Sequence, residues 1–588
     1  MKFGSGLPHV LRSLAYLSPP VIVVVVASYA FCIPTWATIL LSIASLPAYV
    51  ASRIWYRYWD QRRRAAAIGA AFPPGYNGVK LGNLDLLVKL RDGFQNGYLA
   101  DGFNDGHAKM GGTFNMRLLW DNRIVTYDAN VIKAVLATDF SNFIKGERFR
   151  AYVYSVLGTG VFNADGDRWR FHRQMTRPFF SRDRISHFDI FEENAEPAIT
   201  KMRERFREGH AVDFQDVVFR FTLDSASAFL FGTNINHLAS ALPYPPNSPL
   251  AATNDDEKTP AGRFSRAFNR AQFTIAGRGR IGYIWPFLEI FKDKTEDDMK
   301  IVNDFLNPIV HGAIEKYLGE KADGLHDKSD PEEVKDDETL LEHMVRRTTD
   351  PVILRDEILN ILVAGRDTTA GTLTFAVYFM SMYPHTLQRL RKEILETVGP
   401  SRRPDYDDIK NMKYLRAFLN EVLRLYPAVP LNVRYAVKDT VLPNPDPNGL
   451  PFFVPAGAPV TYSVLLMQRR IDYWGEDAQV FDPDRWLDDR IKYFLDNPFI
   501  FLPFNGGPRM CIGQQFAYNE MSFFLIRLLQ NFSDMELQLD LQTLPPKEWA
   551  QFPGRKGMDK FFPKAHLTAY AKDGLWVKMK EADSDAEA

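Results

Sequence analysis

Four groups of residues in this sequence have the types and spacing to do chemistry. The sharpest is FNGGPRMCIG, Phe504 to Gly513, which carries one of only two cysteines in 588 residues. Gly506, Gly507 and Gly513 flank Cys511, and glycines there let the backbone pass close to a flat ligand without a Cβ clash. Their N–H groups, with the start of the helical pattern that follows, favour a thiolate over a thiol. One thiolate is a soft metal ligand and suits a haem iron better than a zinc, which wants four ligands. The same residues also describe a buried thiol beside a glycine turn. A second group, AGRDTT (Ala364–Thr369), interrupts an apolar helical run with a small residue, an ionic pair and two hydroxyls. A threonine bonding back to a carbonyl one turn earlier, beside a glycine, opens a helix and admits water, which suits proton delivery. By itself the string also describes an ordinary helix with a glycine packing spot. Glu421 and Arg424 form the third group at i,i+3, a spacing usually found as a solvated surface pair. Trp169 and Arg173 form the fourth, on one face of a helix that Asp165-Gly166-Asp167 starts.

Taken together these groups resemble the motifs of the cytochrome P-450 haem-thiolate monooxygenases. Phe504, Gly507, Arg509, Cys511 and Gly513 fill the haem-binding signature F-x-x-G-x-R-x-C-x-G without a gap. The resemblance implies haem b as cofactor, with Cys511 as the proximal iron ligand, Phe504 packed beside the sulfur and Arg509 paired with a propionate. AGRDTT matches the family's A-G-x-D-T-T motif, which implies that Thr368 hydrogen-bonds the dioxygen and that Asp367 helps relay protons. The W-x-x-x-R spacing of Trp169 and Arg173 is the one the family uses to hold a propionate, and Arg434 is expected as a further propionate partner. E-x-x-R in this family is buried and joins a third group. FDPDRW (Phe481–Trp486) matches F-x-P-x-R-W, so Arg485 completes a trio that pins the cysteine loop. In the same family the strand entered after PAVPLNVR (Pro427–Arg434) lines the haem pocket, with Val429, Pro430 and Leu431 near substrate; Leu362 is a further apolar candidate. The strings AGRDTTAGTL and VFRFTLDSASAFLFG resemble the fungal alkane- and fatty-acid-hydroxylating branch.

The elements that must position these groups read mainly as helices. Phe214–Gly232 and Pro351–Tyr383 are long apolar helical runs, and Asp405–Tyr426 has apolar residues at helical spacing. Strand signals are fewer. Gly112–Asp128 alternates around Asp121-Asn122 as a hairpin, and Leu567–Lys578 reads as a terminal hairpin around Asp573-Gly574. Leu242–Gly262 and Lys321–Glu338 are polar insertions, and Glu581–Ala588 an acidic tail. At the other end, Ser13–Ser52 contains no Asp, Glu, Lys, Arg or His, about twice what one bilayer crossing needs. It divides into apolar runs at about 14–31 and 35–52, hinged at Cys32-Ile33-Pro34. Trp55, Tyr56, Tyr58 and Trp59 then form an interfacial belt before Arg62-Arg63-Arg64, which the positive-inside tendency places in the cytosol.

The expected organisation is a membrane anchor of one or two transmembrane helices over 1–64, a basic and proline-rich linker over 65–74, a P-450 haem domain over 75–580 and a disordered tail over 581–588. The fold class is mainly α with a smaller β region. A net charge of −1 gives no reason to expect nucleic-acid binding, and two cysteines suit a reducing compartment. The expected reaction inserts one oxygen atom from dioxygen into a C–H bond of an apolar substrate, with alkanes or fatty acids ahead of aromatic xenobiotics. The stretch after Cys511 is too short for a flavin or nicotinamide domain, so electrons are expected from an NADPH-cytochrome P-450 reductase in the same endoplasmic reticulum membrane. Two rivals keep the thiolate without that chemistry: a haem-thiolate isomerase or dehydratase acting on a peroxide, and a non-catalytic membrane haem protein. Asp367 and Thr368 argue against the first, and neither they nor a deep apolar pocket would serve the second.

Overall fold

The computed structural model describes residues 6–103, 110–181, 188–253, 258–323, 334 and 338–582. Residues 254–257 of the first expected polar insertion, most of the second, and all but the first two residues of the acidic tail lie outside these.

Helix Pro351–Met382 runs through the middle of the main body, and most of its length is buried. Asp350 caps it by accepting from the N–H groups of Val352 and Ile353, and Pro351 fills the first turn, where a missing N–H costs nothing. Helix Phe214–Phe231 packs along it, and the Thr222 hydroxyl donates to the Arg366 carbonyl at 3.0 Å. Helices Lys413–Leu425 and Gln514–Asn531 complete the layer that carries the candidate groups. The expected helix over Asp405–Tyr426 is two, Tyr406–Asn411 and Lys413–Leu425, because extended Met412 ends the first and starts the second.

Beside the helices lies a six-stranded sheet in the order Gly75–Tyr76, Thr113–Leu118, Asp121–Thr126, Pro459–Ser463, Leu431–Ala436 and Phe143–Ile144. Arg434 faces Val460 across the antiparallel pair, which fixes the face on which its side chain emerges. The first hairpin turns two residues earlier than its Asp-Asn signal: Leu118 pairs with Asp121, so Leu119 and Trp120 make the turn, with φ of 49° and 63°. Two outside contacts hold this left-handed pair, a bond from the Leu119 N–H to the Gly82 carbonyl (2.9 Å) and one from Arg57 to the Trp120 carbonyl (2.6 Å). The expected terminal hairpin does not form. Asp573-Gly574 is a turn, but Ala569–Ala571 pairs back with Pro563–Ala565, while Trp576–Glu581 joins Phe532–Leu537 and Val212–Asp213. The Asp213 carboxylate redirects the chain, accepting from both the Gln215 and Leu575 N–H groups.

Helices Gly6–Ala30 and Thr35–Ala67 precede this body, separated by a turn in which Cys32 has φ 52°. Both are long and apolar enough to cross a membrane, and their apolar windows are unburied, which fits membrane anchoring. The second helix ends against the body. Its Arg57 bonds the hairpin tip, Gln61 accepts from Asn122 at 2.9 Å, and Tyr58 carries Arg117 over its ring at 4.4 Å. The stretch after it is docked and does not act as a spacer: Ala71 exchanges backbone bonds with Pro451 and Phe453, and Phe72 meets Phe453 edge-on at 5.2 Å. Deleting residues 1–52 keeps Arg57 and Gln61, and should move the protein toward the soluble fraction with its carbon-monoxide spectrum intact. Deleting 1–64 removes both hydrogen-bonding side chains and should cost a further 1–3 kcal/mol or so. Sedimentation and chemical denaturation of the two truncations check this.

Candidate active site

The cysteine loop is closed by its own backbone. The Cys511 N–H donates to the Phe504 carbonyl at 2.9 Å and the Met510 N–H to the Gly507 carbonyl at 3.0 Å. Gly507 has φ 67°, and a Cβ there would lie 1.9 Å from the Leu136 carbonyl oxygen, so no other residue fits. Gly513 differs: a Cβ would meet only the Phe180 ring, at 3.4 Å, and its open side is the cavity. Arg173 reaches across to the Met510 carbonyl at 2.7 Å. Arg509 donates to the Ala164 carbonyl (2.7 Å) and Asp165 (2.9 Å) and lies 4.7 Å from the centre of the Trp169 ring. Helix Gly166–Thr176 and the loop therefore clamp each other.

Cys511 opens onto the cavity and is otherwise desolvated. Burial pushes its thiol up, and the Gly513 N–H and the Arg173 charge only partly offset this. The Gly513 amide and the Arg173 charge favour the charged form, as expected of the loop, while burial opposes them. A cation at the sulfur would act on the same side as the amide.

The opposite wall is the face of the central helix carrying Ile361, Ala364, Gly365, Thr368, Thr369 and Thr372. The Thr368 hydroxyl donates to the Ala364 carbonyl at 2.6 Å, yet the helix stays continuous there. Asp367 is fully buried and off the cavity wall, 3.5 Å from the Arg366 Nε. Burial raises its pKa, and Arg366 and then Gln272 pull it back only in part, so the carboxyl keeps its proton to higher pH than an ordinary one. Arg366 is directed away from the cavity toward Asn269 (2.8 Å) and Ser265 (3.2 Å). Leu362 is corrected by its helical phase. One residue past Ile361, it turns about 100° from the cavity and is wholly buried in the core. Val429 lines this cavity and an adjoining one, while Pro430 and Leu431 line only the latter.

Positive charge gathers at one edge of the cavity. Trp169, Arg173, Arg434 and Arg509 line it as expected positions, and Lys145 joins them. Lys145 is 7% exposed and its ammonium donates to Asn432 at 3.0 Å. Burial first, then the Arg434 and Arg509 charges, hold it well below the usual lysine range. Burial and Arg434 likewise push Arg509 down to about 10. Asp165 is the carboxylate these cations share. Sequence reading missed Lys145 because it belongs to no motif; the sheet alone brings it to Asn432. It missed Glu520 for the same reason. This residue is hydrogen-bonded to Thr369 behind the cavity and pushed up by burial to about 8.

A family model described as Cytochrome P450 matches residues 81–552. The chain belongs to the cytochrome P450 family. It is 35% identical over 530 residues to cytochrome P450 52A10 of Candida maltosa, covering 88% of this chain and 96% of that one. With cytochrome P450 52A6 of Candida tropicalis it shares 34% identity over 557 residues, 92% and 97% of the two chains. A protein named cytochrome P450 monooxygenase pvhE, of Talaromyces variabilis, is 37% identical over 494 residues, 80% and 82% of the two. The protein is thus a haem-thiolate monooxygenase. Haem is the family's cofactor, and the site fits it: a dianionic macrocycle answers the cations that share one carboxylate at one edge, and an iron answers the desolvated sulfur.

Behind the loop of this P-450 stands the expected trio, with Glu421, Arg424 and Arg485 all unexposed. Arg424 grips Glu421 through two bonds of 2.8 and 2.7 Å, and the Arg485 Nε lies 3.5 Å from the same carboxylate. Trp486 and the Asp482 N–H, both at 3.1 Å, complete its shell. Arg424 then donates to the Gln468 carbonyl (3.0 Å), and the Gln468 side chain accepts from the Leu502 N–H (2.8 Å), one step before the cysteine loop. Glu421→Ala leaves two guanidinium groups buried without their carboxylate and should cost about 3–5 kcal/mol. Denaturant midpoint and haem-to-protein ratio should fall together; an unchanged midpoint would remove the trio from this structural role.

Proposed function

We propose that this P-450 hydroxylates C–H bonds of long apolar chains, alkanes or fatty acids, with aromatic xenobiotics a weaker fit. The observation carrying this reading is that two cavities adjoin. The one over Cys511 and a second share Lys145, Phe162, Ala364, Thr368, Val429 and Asn432 in their linings. The second is walled by apolar side chains such as Leu90, Phe94, Met116 and Leu118, so binding rests on burial at about 25 cal/mol per Å². The strings that resemble the alkane and fatty-acid branch agree. Electrons come from an NADPH-dependent diflavin reductase on the same membrane, and the haem domain faces the cytosol from the endoplasmic reticulum. The arginines that follow the apolar helices support that orientation.

Cys511 would hold the iron, and Lys145, Trp169, Arg173, Arg434 and Arg509 the propionates. When bound, haem supplies the activation of dioxygen. The chain's own part is to exclude water and to meter protons. The apolar walls do the first. For the second, Thr368 Oγ1 is the hydroxyl on the cavity face, held by the Ala364 carbonyl, and Asp367 beside it stores a proton because burial disfavours its anion. Arg366, tied to the helix behind, keeps that acid from being stranded without a counter-charge.

Reconstituted with a reductase, the protein should hydroxylate dodecane or C12–C18 fatty acids near a chain end. Turnover of only steroids or small polar compounds would refute the substrate class. Thr368→Ala should leave NADPH oxidation running while product falls by roughly 10²–10⁴-fold, the usual worth of a positioned proton donor. Hydrogen peroxide should rise in step, and unchanged coupling would count against the role.

A further inference from the structure

The second cavity is lined mostly by apolar side chains with a few charged ones, and one of those charges has no ion-pair or hydrogen-bond partner among the described residues. Asp121, Arg123 and Val125 alternate on the strand Asp121–Thr126 and all three face this cavity. Asp121 is already taken: Arg148 holds one oxygen at 2.7 Å and Arg57, from the end of the second N-terminal helix, the other at 3.3 Å. Arg123 is left without a carboxylate and, among the described residues, without a hydrogen bond. The other cations of the cavity have work elsewhere. Arg280 donates to the carbonyls of Ala565 and His566 and lies over the Phe94 ring, and Lys145 belongs to the charged edge beside the cysteine loop.

The surroundings keep the Arg123 guanidinium in place and open. Gly282, with φ 78°, presses its backbone so close that a Cβ there would lie 1.8 Å from Nη2. A phenol lies on each side within electrostatic reach, Tyr283 and Tyr435. A planar fork of donors next to a phenol, on the wall of a largely apolar cavity, recognises a monoanionic head on an apolar tail, and a carboxylate matches the fork bidentately.

We propose that Arg123, with the Tyr283 hydroxyl beside it, docks the carboxylate of a long-chain fatty acid, so that the methyl end is the end that reaches Thr368. This rests on the substrate class inferred above and narrows it: acids are held at both ends, alkanes by burial alone.

The test compares full-length wild type, Arg123→Ala and Arg123→Lys, each reconstituted with reductase, on dodecanoate, methyl dodecanoate and dodecane. An intact carbon-monoxide spectrum certifies each variant as folded. Arg123→Ala should raise KM for dodecanoate by roughly 10–100-fold, the worth of a charge-assisted hydrogen bond, while KM for the ester and the alkane stays put. Arg123→Lys should fall between, and hydroxylation of the acid by Arg123→Ala should spread inward from the terminal carbon. Equal losses on acid and ester, or an unchanged KM for the acid, would overturn the proposal, as would wild-type turnover of dodecane but not dodecanoate. If wild type acts on none of the three, the substrate class itself falls and the anchor with it.

Discussion

Everything at this site depends on burying three formal charges behind the cysteine loop. Removing an ion from water costs several kcal/mol after relaxation, and a carboxylate between two guanidinium groups recovers this only if every donor is spent. Here they are nearly all spent: Arg424 reaches the carbonyls of Gln468, Ala478 and Val480 as well as Glu421, and Arg485 binds Trp474 and both carboxylate oxygens of Asp477. Apart from Glu421, those acceptors lie in one stretch, Gln468–Val480, so the trio joins two segments, that stretch and helix Lys413–Leu425. The trio therefore acts less as a source of stability than as a gauge of position, satisfied only when those segments lie at the correct depth. The loop that presents Cys511 takes its position from that gauge through Gln468.

A second electrostatic imbalance faces the first across the loop. The cavity gathers lysine and arginine in a medium that penalises charge, and it holds a sulfur that burial drives toward the neutral thiol. Neither is comfortable alone. A ligand that is anionic at its edge and cationic at its centre relieves both, which gives a physical reason for haem in place of a bare metal ion. Burial displaces the carboxyls of Asp367 and Glu520 upward, so each keeps its proton to higher pH than an ordinary carboxyl.

The parts of this arrangement legible in the sequence are those whose geometry is local. A cysteine loop closed by its own backbone, the helix start at Asp165-Gly166 and an i,i+3 pair all leave a mark within a few positions. Parts that rest on distant partners left none. Leu119-Trp120 carries no turn signal because Gly82 and Arg57 hold it. The final hairpin was expected from its Asp-Gly turn, and Asp213 diverts it. Leu362 was placed by composition, and helical phase removes it. Lys145 reaches the haem edge only because Phe143–Ile144 pairs with Leu431–Ala436.

The bonds of Arg57 and Gln61 to the hairpin tip have a consequence for how substrate arrives. A catalytic body on a loose tether samples every tilt, and its entrance meets the lipid surface only part of the time. Here the second apolar helix is fastened to the same hairpin that lines the second cavity, so the tilt of that cavity to the helix is set once, when the chain folds. Substrates partitioned into lipid would then diffuse in two dimensions toward a cavity of fixed height, and the search would shorten without any gain in affinity.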